Sequence, residues 1–219
     1  MVSWWSLSVR PDLMAAALAV LGLYLFLEGR LRQRLALVLL ASLAFYAAWA
    51  TKQTFITVFV GLCISILFEP SHLNRRPWFL ALVVPLALLV VITVLVGGEV
   101  YRYNMLTVPS TESLRLGPLG PELASALGPS LFLWCFWGVV WIDLRRHARA
   151  GTGADTPPVE RRRTVAAGAL LVALAVSMGC SLLFLARGGS SRNHLFEAFL
   201  LAGTLSGLAG AHVLGLAPT

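Results

Sequence analysis

The stretch LALVLLASLAFYAAWATKQTFITVFVGLCISILF, residues 35–68, decides the fold. It is apolar throughout except at Thr51-Lys52-Gln53-Thr54 and a few isolated hydroxyls. As one α-helix its 34 residues would run about 50 Å, well beyond a hydrocarbon core of about 30 Å. Two apolar helices folded back on each other at Thr51–Gln53 satisfy the length better than the alternative, one long tilted or interfacial helix. Both halves have hardly any polar residue apart from that turn. The solvent these helices expect is lipid.

The rest of the chain reads the same way. It has 219 residues, 58% hydrophobic and 12% charged, with mean hydropathy +0.81. Soluble domains carry roughly 25% charge. Apolar runs predict an all-α polytopic bundle, one integral membrane domain over 1–219, with seven spans at about 12–28, 35–51, 53–68, 78–97, 129–144, 165–186 and 196–216. Several are short for a bilayer, so polar residues at their ends are expected at or below headgroup depth.

A net charge of +7 in a soluble chain would point to nucleic acid. Here the cations sit in the links between apolar runs and report orientation, not a nucleic-acid partner. One set of links holds Arg30, Arg32, Arg34, Arg75, Arg76, Arg145, Arg146, Arg149, Arg161, Arg162 and Arg163; the other holds Arg10, Lys52, Arg102, Arg115, Arg187 and Arg192. Eleven against six places the first set in the cytoplasm and, with seven spans, the C-terminus with it. The first helix then runs inwards. With no basic stretch ahead of it and no cleavage site after it, Met1–Asp12 reads as a start inside a longer protein.

Cys63, Cys135 and Cys180 all lie within apolar runs, with no CxxC or CxxH spacing. They are expected to pack as small apolar groups, with neither disulfide nor metal. His194 and Glu197 share a helical face, but two ligands do not make a metal site, and none is expected. Gly151-Thr152-Gly153 lacks the Lys-Ser/Thr of a phosphate loop. Gly203 and Gly207 in the last span permit close helix packing within the chain.

The two faces of the membrane differ. The cytoplasmic links are rich in arginine and otherwise read as featureless. The outer ends carry compact mixed groups: Arg10-Pro11-Asp12, Thr51-Lys52-Gln53-Thr54, Tyr101-Arg102-Tyr103-Asn104, and Arg192-Asn193-His194 with Glu197. Helices running inwards start at that outer face, and three of them start beside a cation, Arg10, Lys52 or Arg192. A helix start offers unpaired N–H groups and about half a positive charge. With a Lys or Arg beside it, it suits a phosphate whose lipid tail stays in the bilayer. Thr51 is a candidate cap for the third span, and Ser190 or Ser191 for the last. The competing reading is that these cations merely reach up to the headgroups. Lys52 argues best against it, because it sits in a minimal turn between two apolar helices that have hardly any other polar residue. Asp12, in a first helical turn behind Pro11, has a capping role available and could also orient Arg10 or Lys52.

At these residues the chain resembles a known group. Val9-Arg10-Pro11-Asp12-Leu13 opening a helix, followed by Ala50-Thr51-Lys52-Gln53-Thr54, is similar to the GT-C superfamily of membrane glycosyltransferases, more narrowly the bacterial relatives of protein O-mannosyltransferases and the lipid A aminoarabinose transferase. Gly189 to Glu197 resembles an Asn-Tyr-x-x-Glu-type segment of that group, with His194 in place of the aromatic residue. The resemblance spans residues 9–197. It implies an inverting transferase in a bacterial-type cytoplasmic membrane that takes sugar from a polyprenyl-phosphate donor at the extracytoplasmic face. It implies that Arg10 and Lys52, with Asp12, Gln53 and Arg192 nearby, hold the donor, and that Asn193 and Glu197 line the cavity. The family's catalytic carboxylate lies in the loop after its first membrane helix. No residue here has that place, and Asp12 is not assigned to it, which again points to a missing N-terminal part. Two other readings stay open: a transporter or flippase, disfavoured by the absence of an internal repeat and of midplane charges, and a non-catalytic membrane fragment.

Overall fold

The computed structural model describes residues 11–69, 75–99, 168–177 and 179–180, together with Tyr103, Gly120, Gly138 and Ile142. Among the described residues every regular element is helical and no strand occurs. The elements are α1 (Pro11–Arg32), α2 (Leu35–Thr51), a 3-10 turn (Gln53–Ile56), α3 (Thr57–Leu67), α4 (Arg76–Val96) and α5 (Gly168–Ser177). The seven-helix bundle expected from the sequence is thus seen as five helices. The expected spans 129–144 and 196–216 lie outside the described residues, apart from helical Gly138 and Ile142, and span 165–186 is described over α5 and residues 179–180.

Three expected spans are corrected in their bounds. The first runs on to Arg32 rather than ending at 28. Glu28 and Arg32 pair one turn apart, which supports helix beyond the apolar run. The helix then closes in a left-handed C-terminal turn: Gln33 has φ 57°, and the Arg34 N–H donates to the Gly29 carbonyl at 2.8 Å. The Gln33 side-chain amide also donates to the Arg30 carbonyl at 2.7 Å. This two-residue turn folds α2 straight back along α1. The fourth span begins at Arg76, two residues early, because Pro77 is well placed in a first helical turn.

The third span is not one α-helix. It opens with the 3-10 turn, where Phe55 (ψ 18°) leaves helical geometry, and only Thr57–Leu67 is α-helical. At about 2 Å per residue for four residues and 1.5 Å for eleven, the segment Gln53–Leu67 is about 24 Å long. That is shorter than a hydrocarbon core of about 30 Å, and Lys52 and Glu69 flank it.

Side-chain contacts give the helix directions. Arg30, near the end of α1, meets Glu69, just past α3. Tyr46 on α2 meets Thr93 on α4 at 2.6 Å. Thr57 on α3 meets Ser177 on α5 at 3.1 Å, while Gly61 abuts Ala173. Hence α1 and α3 run one way and α2, α4 and α5 the other. The fold-back at Thr51–Gln53 read from the sequence is present.

The core is a seam of Leu23, Phe26, Val38, Ala41, Phe45, Val58, Leu62, Ile66 and Leu82, closed by α5 residues Ala169, Leu170 and Ala173. Glycines permit its close approaches. A Cβ at Gly22 would sit 3.0 Å from the Phe45 ring, and one at Gly61 would overlap the backbone of Ala173. Large apolar side chains also point outwards: Leu39, Leu40 and Leu43 on α2, and Leu80, Val84, Leu88, Ile92 and Leu95 on α4. Two helices, α1 over Met14–Arg32 and α4, are long and apolar enough to cross a membrane. Only 11% of the α4 window is buried, unlike the core helix of a soluble protein.

Pro85 interrupts α4 and supplies no N–H to its ladder. The next N–H, of Leu86, donates to the buried Ser42 hydroxyl at 3.0 Å. A neighbouring helix thus meets a backbone donor beside the proline, as an apolar surround requires. Ser42→Ala is expected to destabilise the protein by about 1–3 kcal/mol, and that cost to shrink in a Pro85→Ala background. Ser65→Ala, which removes a hydroxyl bonded within its own helix at Leu62, should cost less. Thermal unfolding of the four variants in one detergent checks this.

Candidate functional site

The two ends of the bundle are built differently. At one end, the start of α1 packs on the end of α2 and on the 3-10 turn through Ala15, Ala16, Ala19, Ala48 and Phe55, with Leu18 beside them. Four alanines let three backbones approach closely. This contact brings together two of the sequence-predicted positions: the first turn of α1, which contains Asp12, and the turn Lys52–Gln53. Arg10, Arg192, Asn193 and Glu197 lie outside the described residues, as do Tyr101, Arg102, Asn104, Ser190, Ser191 and His194.

Lys52 is half-buried in extended backbone (φ −156°, ψ 115°) between α2 and the 3-10 turn. Its N–H donates to the Ala48 carbonyl at 2.9 Å, and its carbonyl accepts from the Phe55 N–H at 3.1 Å. The backbone on both sides is therefore fixed, and the ammonium stem leaves a rigid turn. Thr51 does not cap the following helix. It is the last residue of α2, and its hydroxyl donates back to the Ala47 carbonyl at 2.8 Å. A Thr at a helix end has this alternative whenever the i−4 carbonyl is in reach. Neither the 3-10 turn nor α3 has a side-chain cap at its start.

At the other end the expectation of featureless arginines fails. Arg30 is buried and donates from Nη2 to Glu69 Oε2 at 2.7 Å, with side chains 8% and 7% exposed. Its guanidinium carbon lies 5.0 Å from the centre of the Trp78 ring. Arg75 donates to the carbonyls of Leu67 at 2.6 Å and Glu69 at 3.1 Å, holding the end of α3 where helix carbonyls lack partners. One residue each from α1, the α3 exit and α4 thus form a sealed ionic knot. The sequence holds a weak trace of it: Glu28 and Glu69 are the acidic residues closest to these arginines. Nothing in one sequence pairs Arg30 with a residue 39 positions away.

Cys63 is half-buried and packs against the apolar core, Cys180 is half-buried, and Cys135 lies outside the described residues. Among the described residues no group of three or more His, Cys, Asp or Glu could hold a metal. The His194–Glu197 pair is not among them. Comparison with protein-family models, curated proteins and solved structures finds no match to this chain.

The ionic knot makes a sharp prediction. Arg30→Ala alone leaves Glu69 buried without its cation and should cost about 3–5 kcal/mol. The charge-conserving exchange Arg30→Glu with Glu69→Arg should recover part of that. Unfolding midpoints of the single and exchanged variants give the coupling between the two positions.

Proposed function

We propose that this chain is the membrane core of a glycosyltransferase of GT-C type. It sits in a bacterial-type cytoplasmic membrane and takes sugar from a polyprenyl-phosphate donor at the extracytoplasmic face. The observation that carries the reading is the Lys52 turn. It is a cation on a fixed backbone at the end of a crossing about 24 Å long, beside the helix start that holds Asp12. A short crossing draws its flanking charges towards the hydrocarbon. Glu69 at the far end is met by Arg30. On this reading Lys52 at the near end meets the donor's headgroup phosphate, and the polyprenyl tail runs beside the outward-facing apolar residues of α2 and α4.

The chemistry then follows from charge. Transfer of the sugar leaves negative charge on the departing phosphate, and a positioned ammonium stabilises that charge more as it grows. Lys acts here as a point charge, which tolerates a rotating phosphate better than a bidentate fork. Arg10 and Arg192 are the further cations that the reading assigns to the donor, with Asp12 and Gln53 orienting it and Asn193 and Glu197 lining the cavity. A general base for the acceptor is not among the residues assigned. The resemblance gives that role to a carboxylate in the loop after the family's first membrane helix.

Two measurements test this. In the full-length protein, Lys52→Ala should lower sugar transfer at least tenfold without loss of membrane insertion, and Lys52→Arg should retain more activity than Lys52→Ala. Wild-type turnover in Lys52→Ala removes the phosphate role. Separately, a cysteine at position 53, in a chain with its native cysteines replaced, should react with a membrane-impermeant maleimide from the extracytoplasmic side. Labelling only after the membrane is opened would reverse the orientation.

A further inference from the structure

The knot at the Arg30 end contains a flaw that a purely structural clasp would not need. Arg30 Nη1 is fully enclosed and has no hydrogen-bond partner, although Nη2 of the same guanidinium is bonded to Glu69. A guanidinium has two arms that match the two oxygens of a carboxylate, and bidentate pairing is its usual form. Here one arm is spent on Glu69 and the other on nothing. Burying a donor without an acceptor forfeits its hydration, and a buried ion pair has already lost much of its own. Water restores both losses as soon as the end opens.

At this end polar ties lie over the apolar seam that contains Phe26, Ile66 and Leu82. The Arg30–Glu69 bond, the Trp78 ring and the Arg75 strap make the ties between the end of α1, the exit of α3 and the start of α4. At the Lys52 end, by contrast, the α1–α2 contact is apolar and close-packed, with Ala15, Ala16, Ala19 and Ala48 all buried.

We infer that the Arg30–Glu69 pair is a latch, closed in this structure and poised to open by hydration. The ends of α1 and α3 part there while the alanine-packed end stays shut. The incomplete pairing weakens the closed state, so the open state is populated without a ligand. This inference stands apart from the reaction proposed at Lys52. It requires only that the bundle flex at one end.

The test replaces the latch with an apolar clasp. Apolar residues of similar size often substitute for a buried ion pair without loss of stability, so the full chain carrying Arg30→Met and Glu69→Leu should remain folded in lipid nanodiscs. Hydrogen exchange by mass spectrometry then reads opening along the chain. The expected result is at least tenfold slower exchange at 28–32 and 64–69, with amides 15–19 unchanged. Unaltered or faster exchange at 28–32 and 64–69 overturns the latch. So does equal slowing at both ends, since that is general stabilisation. If the double variant does not insert, the wild-type chain decides alone. Faster exchange at 28–32 and 64–69 than at 15–19 supports the latch, and equal exchange overturns it.

Discussion

A helix bundle without water around it must find partners for its polar groups inside itself. Every long-range polar contact among the described residues can be read as an answer to that constraint. Ser42 takes the Leu86 N–H beside Pro85. Tyr46 and Thr93 satisfy each other's hydroxyls, as do Thr57 and Ser177. Arg30 and Glu69 neutralise each other. These bonds tie α2 to α4 twice, α3 to α5, and α1 to the exit of α3, so the contacts that remove unsatisfied groups also fix which helices neighbour which. Apolar packing alone would not choose so sharply, since leucine is as content beside lipid as beside leucine.

The same constraint gives the bundle two unlike ends. Small side chains close one end, and this lets the start of α1 and the Lys52 turn share a surface. Opposite charges close the other. Polar groups drawn into an apolar surround are costly, so those that are kept have a use. Arg30 and Glu69 tie two helix ends together, and the use proposed for Lys52 is a bound anion.

Much of the helical layout was legible in the sequence because long apolar runs have few alternatives. Span 35–51 coincides with α2, and the fold-back at Thr51–Gln53 follows from helix length alone. Boundaries set by local chemistry were less legible. The first helix outruns its apolar stretch because Glu28–Arg32 and the Gln33 turn carry it on. The third gives up its first turn to 3-10 geometry at Phe55, which no residue type announces. The site was legible only in part. Adjacency of the Asp12 helix start and the Lys52 turn emerges from alanine packing. The Arg30–Glu69 knot, in links that read as featureless, needed the fold to bring 39 residues of separation together.

The central claim is that the Lys52 turn holds a lipid-borne phosphate. The most direct measurement is photo-cross-linking of the full chain in nanodiscs with a polyprenyl phosphate bearing a photoreactive group next to the phosphate, the adducts being mapped by mass spectrometry. The account predicts adducts concentrated in residues 48–56 and in the first turn of α1, displaced by excess unlabelled polyprenyl phosphate. Adducts clustered around Arg30, Arg75 and Trp78, or spread along the outward face of α4 without displacement, would contradict it.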